Sequence, residues 1–264
     1  MKTKFILGAD PELFLINSNG NPKSAIGVIS GTKENPFNIS NKGHSVQVDN
    51  VLLEFNIPPS KNPTEMFSNI NFVIDWFYNN IPRDCSLSFD SSFIFDDKEI
   101  EDDAAKEFGC DPDLDAWRET VNDAPCSTTN LRTAGGHIHV SYDDYNMDKS
   151  LELVKALDLF LGVPSILIDR DVRRRELYGK AGCFRFKDYS DGSGGFEYRS
   201  LSNFWIRSEN NIEMIYTQIE KAFDYIDSGN IINKDSSLAS DIVKCINTGD
   251  EKLAMKLIKK YNLI

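Results

Sequence analysis

The chain has 264 residues, a hydrophobic content of 41% and a formal net charge of −12. This length and composition favour a globular fold with one large domain, extended at most by a small appendage, and exclude a disordered chain. The acidic balance disfavours nonspecific binding to nucleic acid or to anionic membrane. No run of about eighteen apolar residues is present, so we expect no transmembrane helix. The first residues turn acidic before a signal-peptide core could form, and we therefore expect a cytoplasmic protein.

The first predicted element is a strand over residues 4–16. Asp10 and Glu12 are two residues apart on it and so point to the same face of a sheet. Pro11 between them indicates an edge strand or a local irregularity. Two carboxylates on one face repel each other unless a cation or solvent separates them. The pair is therefore either part of a ligand site or part of a solvated polar face.

Residues 46–59 predict a second strand, rich in apolar and β-branched side chains and ended by a Pro-Pro pair. Glu54 and Asn56 share one face of it, whereas Asp49 falls on the other face unless a bulge intervenes. A carboxylate in such an apolar strand is costly to bury without a partner. Glu54 is therefore a candidate functional residue.

The next part of the chain predicts a helix, a strand and an acidic loop. Apolar residues recur at helical spacing over 62–80, with Thr64 as the expected N-cap, and residues 86–95 predict a strand. The segment that follows is dense in acids and turn formers. Asp111 and Asp113 within it either belong to an ordinary loop or line a site.

Two of the three histidines lie close together in a strand-like stretch that follows Gly135 and Gly136. His137 and His139 are two residues apart, so their side chains project from the same face. The alternative is a pair of ordinary surface histidines. Two imidazoles in register beside a Gly-Gly turn favour a polar site on the face of a sheet.

Positive charge is concentrated in one segment of this acidic chain, residues 170–187, which holds seven Arg and Lys side chains. This clustering suggests binding of an anionic ligand. A predicted strand over residues 196–202 follows, and on it Glu197 and Arg199 share a face. Helices are predicted over residues 147–161 and 207–226, and two shorter ones over 238–264.

Together, two predicted strands carry pairs of metal-capable side chains two residues apart, a third carries Glu197 beside Arg199, and a fourth offers Glu54. Carboxylates with one or two imidazoles, and without thiolates, suit Mg²⁺ or Mn²⁺ better than Zn²⁺. Carboxylate-bound divalent ions beside Arg and Lys are what phosphoryl transfer requires. The sequence has neither a Walker A loop nor a Gly-x-Gly-x-x-Gly fingerprint, so a nucleotide would be held by another route.

The order of these motifs resembles the glutamine synthetase/glutamate–cysteine ligase superfamily, and most closely its phage-associated carboxylate–amine ligases of type 2. The segments that carry the resemblance are Gly8–Glu12, Asp49–Pro58, Phe108–Asp113, Arg132–Val140, Arg174–Gly182 and Phe196–Trp205.

The resemblance implies an α+β fold, with an antiparallel sheet curved into a saddle and helices on its convex face. It places this domain over residues 1–230 and leaves residues 231–264 as a helical tail. ATP and two or three Mg²⁺ ions (or Mn²⁺) would lie on the concave face. The reaction would activate a small carboxylate as an acyl phosphate, which an amine attacks to give an amide.

The resemblance also implies roles for individual residues. The metal ligands would be Asp10, Glu12, Glu54, His137 and Glu197. The phosphate-facing residues would be His139, Arg174, Lys180, Arg185 and Arg199, with Arg199 and Arg185 as catalytic cations. The candidate substrate residues are Asp49, Asn56, Asp111 and Asp113. One departure is Asp10, where glutamine synthetases have the longer Glu, so this carboxylate would reach a metal through water.

Two other functions stay open at this stage. One is a phosphotransferase on the same scaffold, and the other is a protein that binds a nucleotide or another ligand without turnover. The expected partners are small-molecule carboxylates and amines, and homo-oligomerisation is left open. The resemblance further implies a phage protein acting in the host cytoplasm.

Overall fold

The structure is a computed structural model, and it describes residues 3–106, 113–123, 129–189 and 192–264. Its strands are β1 (Phe5–Asn17), β2 (Pro22–Lys23), β3 (Phe37–Asn38), β4 (Ser45–Asp49), β5 (Leu52–Ser60), β6 (Cys85–Ser88), β7 (Ser92–Ile94), β8 (Leu114–Asp115), β9 (Thr120–Val121), β10 (Leu131–Thr133), β11 (Gly136–Tyr142), β12 (Cys183–Asp188) and β13 (Gly194–Tyr198). The helices are α1 (Pro63–Asn80), α2 (Asp103–Lys106), α3 (Met147–Leu157), α4 (Val163–Ser165), α5 (Arg174–Leu177), α6 (Glu209–Asp227), α7 (Ser237–Thr248) and α8 (Glu251–Tyr261).

Strand β1 is the centre of the large sheet. Its 13 residues reach roughly 40 Å, which allows one strand to pair with four others. The first half lies between β5 and β11, and the second half pairs with β2 and β6. The main path of the sheet runs β3-β4-β5-β1-β11-β13-β12-β8-β9, and all of these pairings are antiparallel.

Side chains alternate strictly between the two faces of this sheet. Leu7, Ala9 and Leu13 of β1 belong to the main apolar core, whereas Asp10 and Glu12 project from the opposite face. By the same alternation, the main core also contains Leu53, Phe55 and Ile57 of β5, Ile138 and Val140 of β11, and Phe196 and Tyr198 of β13. We call the two sides the helix-covered face and the polar face.

The helices α1, α3 and α6 supply the other half of the main core. Their buried residues, such as Ile70, Leu153 and Ile215, join the apolar side chains of the strands in one cluster. The expected antiparallel sheet with helices packed on one face is therefore confirmed. Among the described residues, no helix combines the length and apolar character that crossing a membrane requires.

Two local predictions were wrong in position. Helix α1 is capped by Asn62, whose side chain accepts a hydrogen bond from the backbone N–H of Glu65, so the cap is not Thr64. The single strand predicted over 86–95 is two strands in different sheets, because β7 pairs with β10 and not with β1.

The predicted strand over residues 46–59 is in fact a hairpin. The chain turns between β4 and β5 at Asn50, which adopts φ 55°, a conformation that Asn tolerates better than most residues. Arg132 donates to the Asn50 side chain, and both side chains bind the backbone carbonyl of Ala105. The parity argument that placed Asp49 on the opposite face from Glu54 therefore fails, because the two residues lie on different strands.

The helix predicted over residues 147–161 is interrupted by a π-helical turn at Asp158–Gly162, which places a carboxylate inside the protein. Asp158 is fully buried, and its Oδ2 accepts from the indole N–H of Trp117 and the backbone N–H of Gly182. Its Oδ1 accepts from the Tyr198 hydroxyl at 2.7 Å. Burial raises the pKa of Asp158 to about 7, although these hydrogen bonds oppose the shift.

The last two helices, α7 and α8, are separated at Gly249 and Asp250, as predicted. They pack with α4 and the π-helical turn in a second apolar cluster, which includes Trp117, Leu159 and Leu257. The division of the chain at residue 230 stays a prediction.

Candidate active site

The polar face brings together the residues that the sequence singled out on β1, β11 and β13. In the register of these strands Asp10 lies opposite His137, and His139 lies opposite Glu197. The Nδ1 atom of His137 is 3.3 Å from Asp10 Oδ1 and 3.4 Å from Glu197 Oε1. The Nε2 atom of His139 is 3.1 Å from Asp10 Oδ2. We call these four residues the histidine cluster.

A second group of acids lies beside it, where β1, β5 and β4 run side by side. Glu12 and Glu54 stand directly opposite each other across the β1–β5 pair. Asp49 approaches from the end of β4, and ligand atoms of the three residues lie within 4.8 Å of one another. We call them the carboxylate cluster. Asp49, predicted to contact substrate, is thus placed among candidate metal ligands.

The histidine cluster stabilises ionised carboxylates. Burial raises the pKa of Asp10, but the two neighbouring imidazoles outweigh it and hold that pKa well below its usual value. Burial and Asp10 raise the pKa of Glu197, yet Arg199 and the imidazoles bring it down to about 2. Burial lowers the pKa of His139, and the Asp10 carboxylate more than reverses this. The cluster therefore presents negative oxygens next to protonatable nitrogens.

The carboxylate cluster behaves in the opposite way. Burial, followed by the charges of Asp10, Asp49 and Glu12, raises the pKa of Glu54 well above its usual value. Burial also raises the pKa of Glu12, although His137 opposes the shift, and Glu12 accepts a hydrogen bond from the backbone N–H of Gly135 at 2.6 Å. Glu12 and Glu54 therefore favour the protonated form unless a cation neutralises them. A divalent ion binding here would displace those protons.

Both clusters fit a divalent cation. Buried side-chain atoms without an aligned hydrogen-bond partner among the described residues include Asp10 Oδ1, Glu54 Oε2, His139 Nε2 and Glu197 Oε2. Buried polar atoms are normally satisfied, so several such atoms on one face mark a place for a ligand. Carboxylate oxygens with imidazole nitrogens are the donors that Mg²⁺ and Mn²⁺ accept. Ligand atoms of Asp10, His139 and Glu197 lie within 4.8 Å of one another.

Two cations lie against Glu197. Arg199 donates to Glu197 Oε1 and to Asp113 Oδ2, the latter at 3.1 Å, and its guanidinium is 3.3 Å from His137 Nδ1. Lys187 Nζ lies 2.7 Å from Glu197 Oε2. Sequence reasoning counted Lys187 in the basic segment but did not assign it to the site. The available signal was its position two residues after Arg185, which puts both side chains on the same face of β12.

The other predicted cations occupy different places. Arg174 is buried, and its guanidinium donates to the backbone carbonyls of Ala134, Arg199 and Ser200. These contacts favour a structural role for Arg174 instead of the predicted phosphate contact. Lys180 is exposed in the loop before β12. Arg185 lies directly across from Glu197 on the neighbouring strand, so its predicted position in the site is reasonable.

The candidate substrate residues are also separated. Asn56 donates to Ser45 Oγ at 3.2 Å on the polar face, one strand away from β1. Asp113 is buried as the partner of Arg199. Asp111 lies outside the described residues.

A cleft of about 1370 Å³ opens at one end of the polar face, next to the histidine cluster. Its walls include the polar groups of His139, Ser141 and Asn56, and the apolar groups of Ile6, Pro59 and Tyr189. A cleft with apolar walls and a few polar groups next to charged residues is typical of a small-molecule site.

Two solved structures illustrate what the chain is similar to. A bifunctional glutathione synthetase from Pasteurella multocida aligns over 98% of this chain and 49% of its own, with 12% identity and a TM-score of 0.46. A structure described as a novel glutamine synthase homolog aligns over 99% of this chain and 65% of its own, with 10% identity and a TM-score of 0.44. The chain thus spans about half the length of the first and less than two thirds of the second. A comparison with curated proteins finds no match.

Residues 126–231 match the sequence model of the family described as phage phiEco32-like COOH.NH2 ligase-type 2. This range contains β11, β12 and β13, and with them His137, His139 and Glu197. Strands β1 and β5, which carry Asp10 and Glu54, lie outside it. The resemblance to the phage-type COOH.NH2 ligase-type 2 family is thus confirmed over residues 126–231, which hold the motifs from Arg132 to Trp205.

Proposed function

We propose that the chain is an ATP- and Mg²⁺-dependent carboxylate–amine ligase that forms an amide bond through an acyl phosphate. The observation that carries the proposal is the histidine cluster and the carboxylate cluster on the polar face, where several buried oxygen and nitrogen atoms lack an aligned hydrogen-bond partner among the described residues. The family match over residues 126–231 supports the choice of reaction.

Divalent ions at the two clusters would neutralise phosphate oxygens and the charge that develops during phosphoryl transfer. Asp10 and Glu197 would hold one ion, with His137 and His139 both within reach of it. Glu12, Glu54 and Asp49 would hold another. Arg199 and Arg185 would stabilise the acyl phosphate from the β12–β13 side of the site.

The cleft beside His139 is where we place the nucleotide. Its apolar walls suit a purine ring, and His139 and Ser141 stand where the cleft meets the histidine cluster. In the first step an oxygen of the carboxylate attacks the γ-phosphorus of ATP, which releases ADP. In the second step the amine nitrogen attacks the acyl carbon, inorganic phosphate leaves, and the nitrogen loses a proton.

The test is to incubate the protein with MgATP and mixtures of small acids and amines, and to follow ADP and amide by mass spectrometry. Amide should appear in equal amount with ADP, and Glu197→Ala should abolish both products while keeping its thermal unfolding transition. A phosphorylated compound without amide would instead indicate a phosphotransferase. Full turnover by the variant would contradict the metal assignment.

We further propose a cytoplasmic setting in a phage-infected host and assembly into a homo-oligomer. The small-molecule carboxylate and amine are proposed as a class only.

A further inference from the structure

Lys187 is the charged residue nearest the histidine cluster that the proposed chemistry does not use. It lies on β12 opposite Gly195, so no side chain of β13 stands in front of it. Its ammonium group reaches sideways to Glu197, with an Nζ–Oε2 distance of 2.7 Å. The oxygen is nevertheless without an aligned hydrogen bond, so the contact is an ion pair only.

The two cations on Glu197 differ in how firmly they are held. The Arg199 side chain is only 5% exposed and is tied to Asp113 as well as to Glu197. The Lys187 side chain is 30% exposed, and Glu197 is the carboxylate it pairs with at 2.7 Å. A lysine on a flexible four-carbon stem can move between partners, whereas a buried guanidinium with two carboxylate partners cannot.

Lys187 also lies between the cluster and the cleft. Arg185, Lys187 and Tyr189 follow one another at two-residue spacing, Arg185 stands opposite Glu197, and Tyr189 lines the cleft. A short rotation of the stem would therefore carry the charge from Glu197 toward the mouth of the cleft.

We propose that Lys187 exchanges partners during ligand binding: it neutralises Glu197 while the site lacks a divalent ion, and it binds nucleotide phosphate once that ion takes its place on Glu197. The inference rests on the proposed function. The binding of the ion and the binding of the nucleotide are then coupled. The ion on Glu197 releases Lys187 to bind phosphate, and phosphate draws Lys187 away from the oxygen that the ion needs. Mn²⁺ alone competes with the ammonium group, and phosphate relieves that competition.

The experiment measures two affinities in wild type, Lys187→Met and Lys187→Arg. The first is that of Mn²⁺ alone, by electron paramagnetic resonance. The second is that of a non-hydrolysable ATP analogue at saturating Mg²⁺, by calorimetry. Lys187→Met should bind Mn²⁺ about three- to tenfold more tightly and the nucleotide about tenfold more weakly. Lys187→Arg, which keeps the charge, should stay close to wild type in both.

The opposite signs are the signature of exchange. If Lys187 only stabilises the fold, Lys187→Met should weaken both affinities. If Lys187 only binds phosphate, the variant should keep the wild-type affinity for Mn²⁺. Either result overturns the proposal. Lys98→Met, at an exposed residue far along the chain from the site strands, serves as the control for loss of a positive charge. If wild type binds neither ligand, the proposed function itself fails; if wild type binds both and Lys187→Met changes nothing, only the exchange fails.

Discussion

Replacing Glu54 by Gln is expected to stabilise the metal-free protein while weakening its affinity for divalent cations. Glu54 is 7% exposed and stands opposite Glu12. Carboxylate oxygens of Glu54, Glu12 and Asp49 lie within 4.8 Å of one another. An amide of the same shape removes the buried charge and donates hydrogen bonds to the remaining carboxylates. The same change removes one of three candidate ligands of the cation.

The size of the effect follows from the spacing. Two unit charges 4.8 Å apart repel each other by about 3.5 kcal/mol at an effective dielectric constant of about 20. Proton uptake by Glu54 and Glu12, whose pKa values are both raised, lowers this cost. We therefore expect a gain of about 1–3 kcal/mol in the free energy of unfolding, or about 2–8 °C in Tm. The Mn²⁺ affinity should fall more than about tenfold.

The stabilisation should depend on pH with a defined sign. The folded-state pKa of Glu54 is raised, so this carboxyl group destabilises the fold least when it is protonated. The folded protein therefore loses stability as the pH rises through that pKa. Below about pH 4 both the folded and unfolded chains carry a neutral Glu54, and Gln brings no gain. The difference in unfolding free energy should therefore grow as the pH increases above that value.

The assay is thermal unfolding in a metal chelator from pH 4 to pH 8, together with Mn²⁺ titration. Glu213→Gln, at an exposed position of α6, is the matched control and should change neither quantity. A lower Tm for Glu54→Gln at neutral pH, with unchanged Mn²⁺ affinity, would refute the reasoning.

Substitutions at three further positions give distinct outcomes. Asp158→Asn should keep a free energy of unfolding close to that of wild type in chemical denaturation, because its amide oxygen still accepts hydrogen bonds from Trp117 and Gly182. Asp158→Ala should lose about 2–4 kcal/mol of that free energy. Arg174→Lys should lower Tm, because the hydrogen bonds to backbone carbonyls are lost, and should leave the affinity for the ATP analogue unchanged. An unchanged Tm with weaker binding of the analogue would instead indicate that Arg174 binds phosphate. Gly135→Ala would place a Cβ 2.4 Å from His137 Nε2, so Mn²⁺ binding should weaken, and unchanged binding would argue against His137 as a ligand.

Much of the polar face could be predicted from the sequence, because alternation on a strand is a local property. The spacing of Asp10 with Glu12, of His137 with His139, and of Glu197 with Arg199 was sufficient to place each pair on one face. Pairing between strands β1, β11 and β13 then brings the pairs together.

What could not be predicted depends on contacts between distant parts of the chain. The turn at Asn50 has no glycine to signal it, and it is held by Arg132 and the carbonyl of Ala105, far along the sequence. The role of Lys187 depends on which residue of β13 it faces. The resemblance placed Arg174 at phosphate, whereas its hydrogen bonds to backbone carbonyls leave no trace in the sequence.

In the proposed mechanism the histidine cluster and the carboxylate cluster each bind a divalent cation. This can be measured by electron paramagnetic resonance of Mn²⁺ in the presence of a non-hydrolysable ATP analogue, in wild type, Glu197→Ala and Glu12→Ala. We expect at least two bound ions per chain in wild type, and the loss of one ion in each variant. The two-ion site is refuted if wild type binds no more Mn²⁺ than the analogue alone, or if the variants keep the full number of ions.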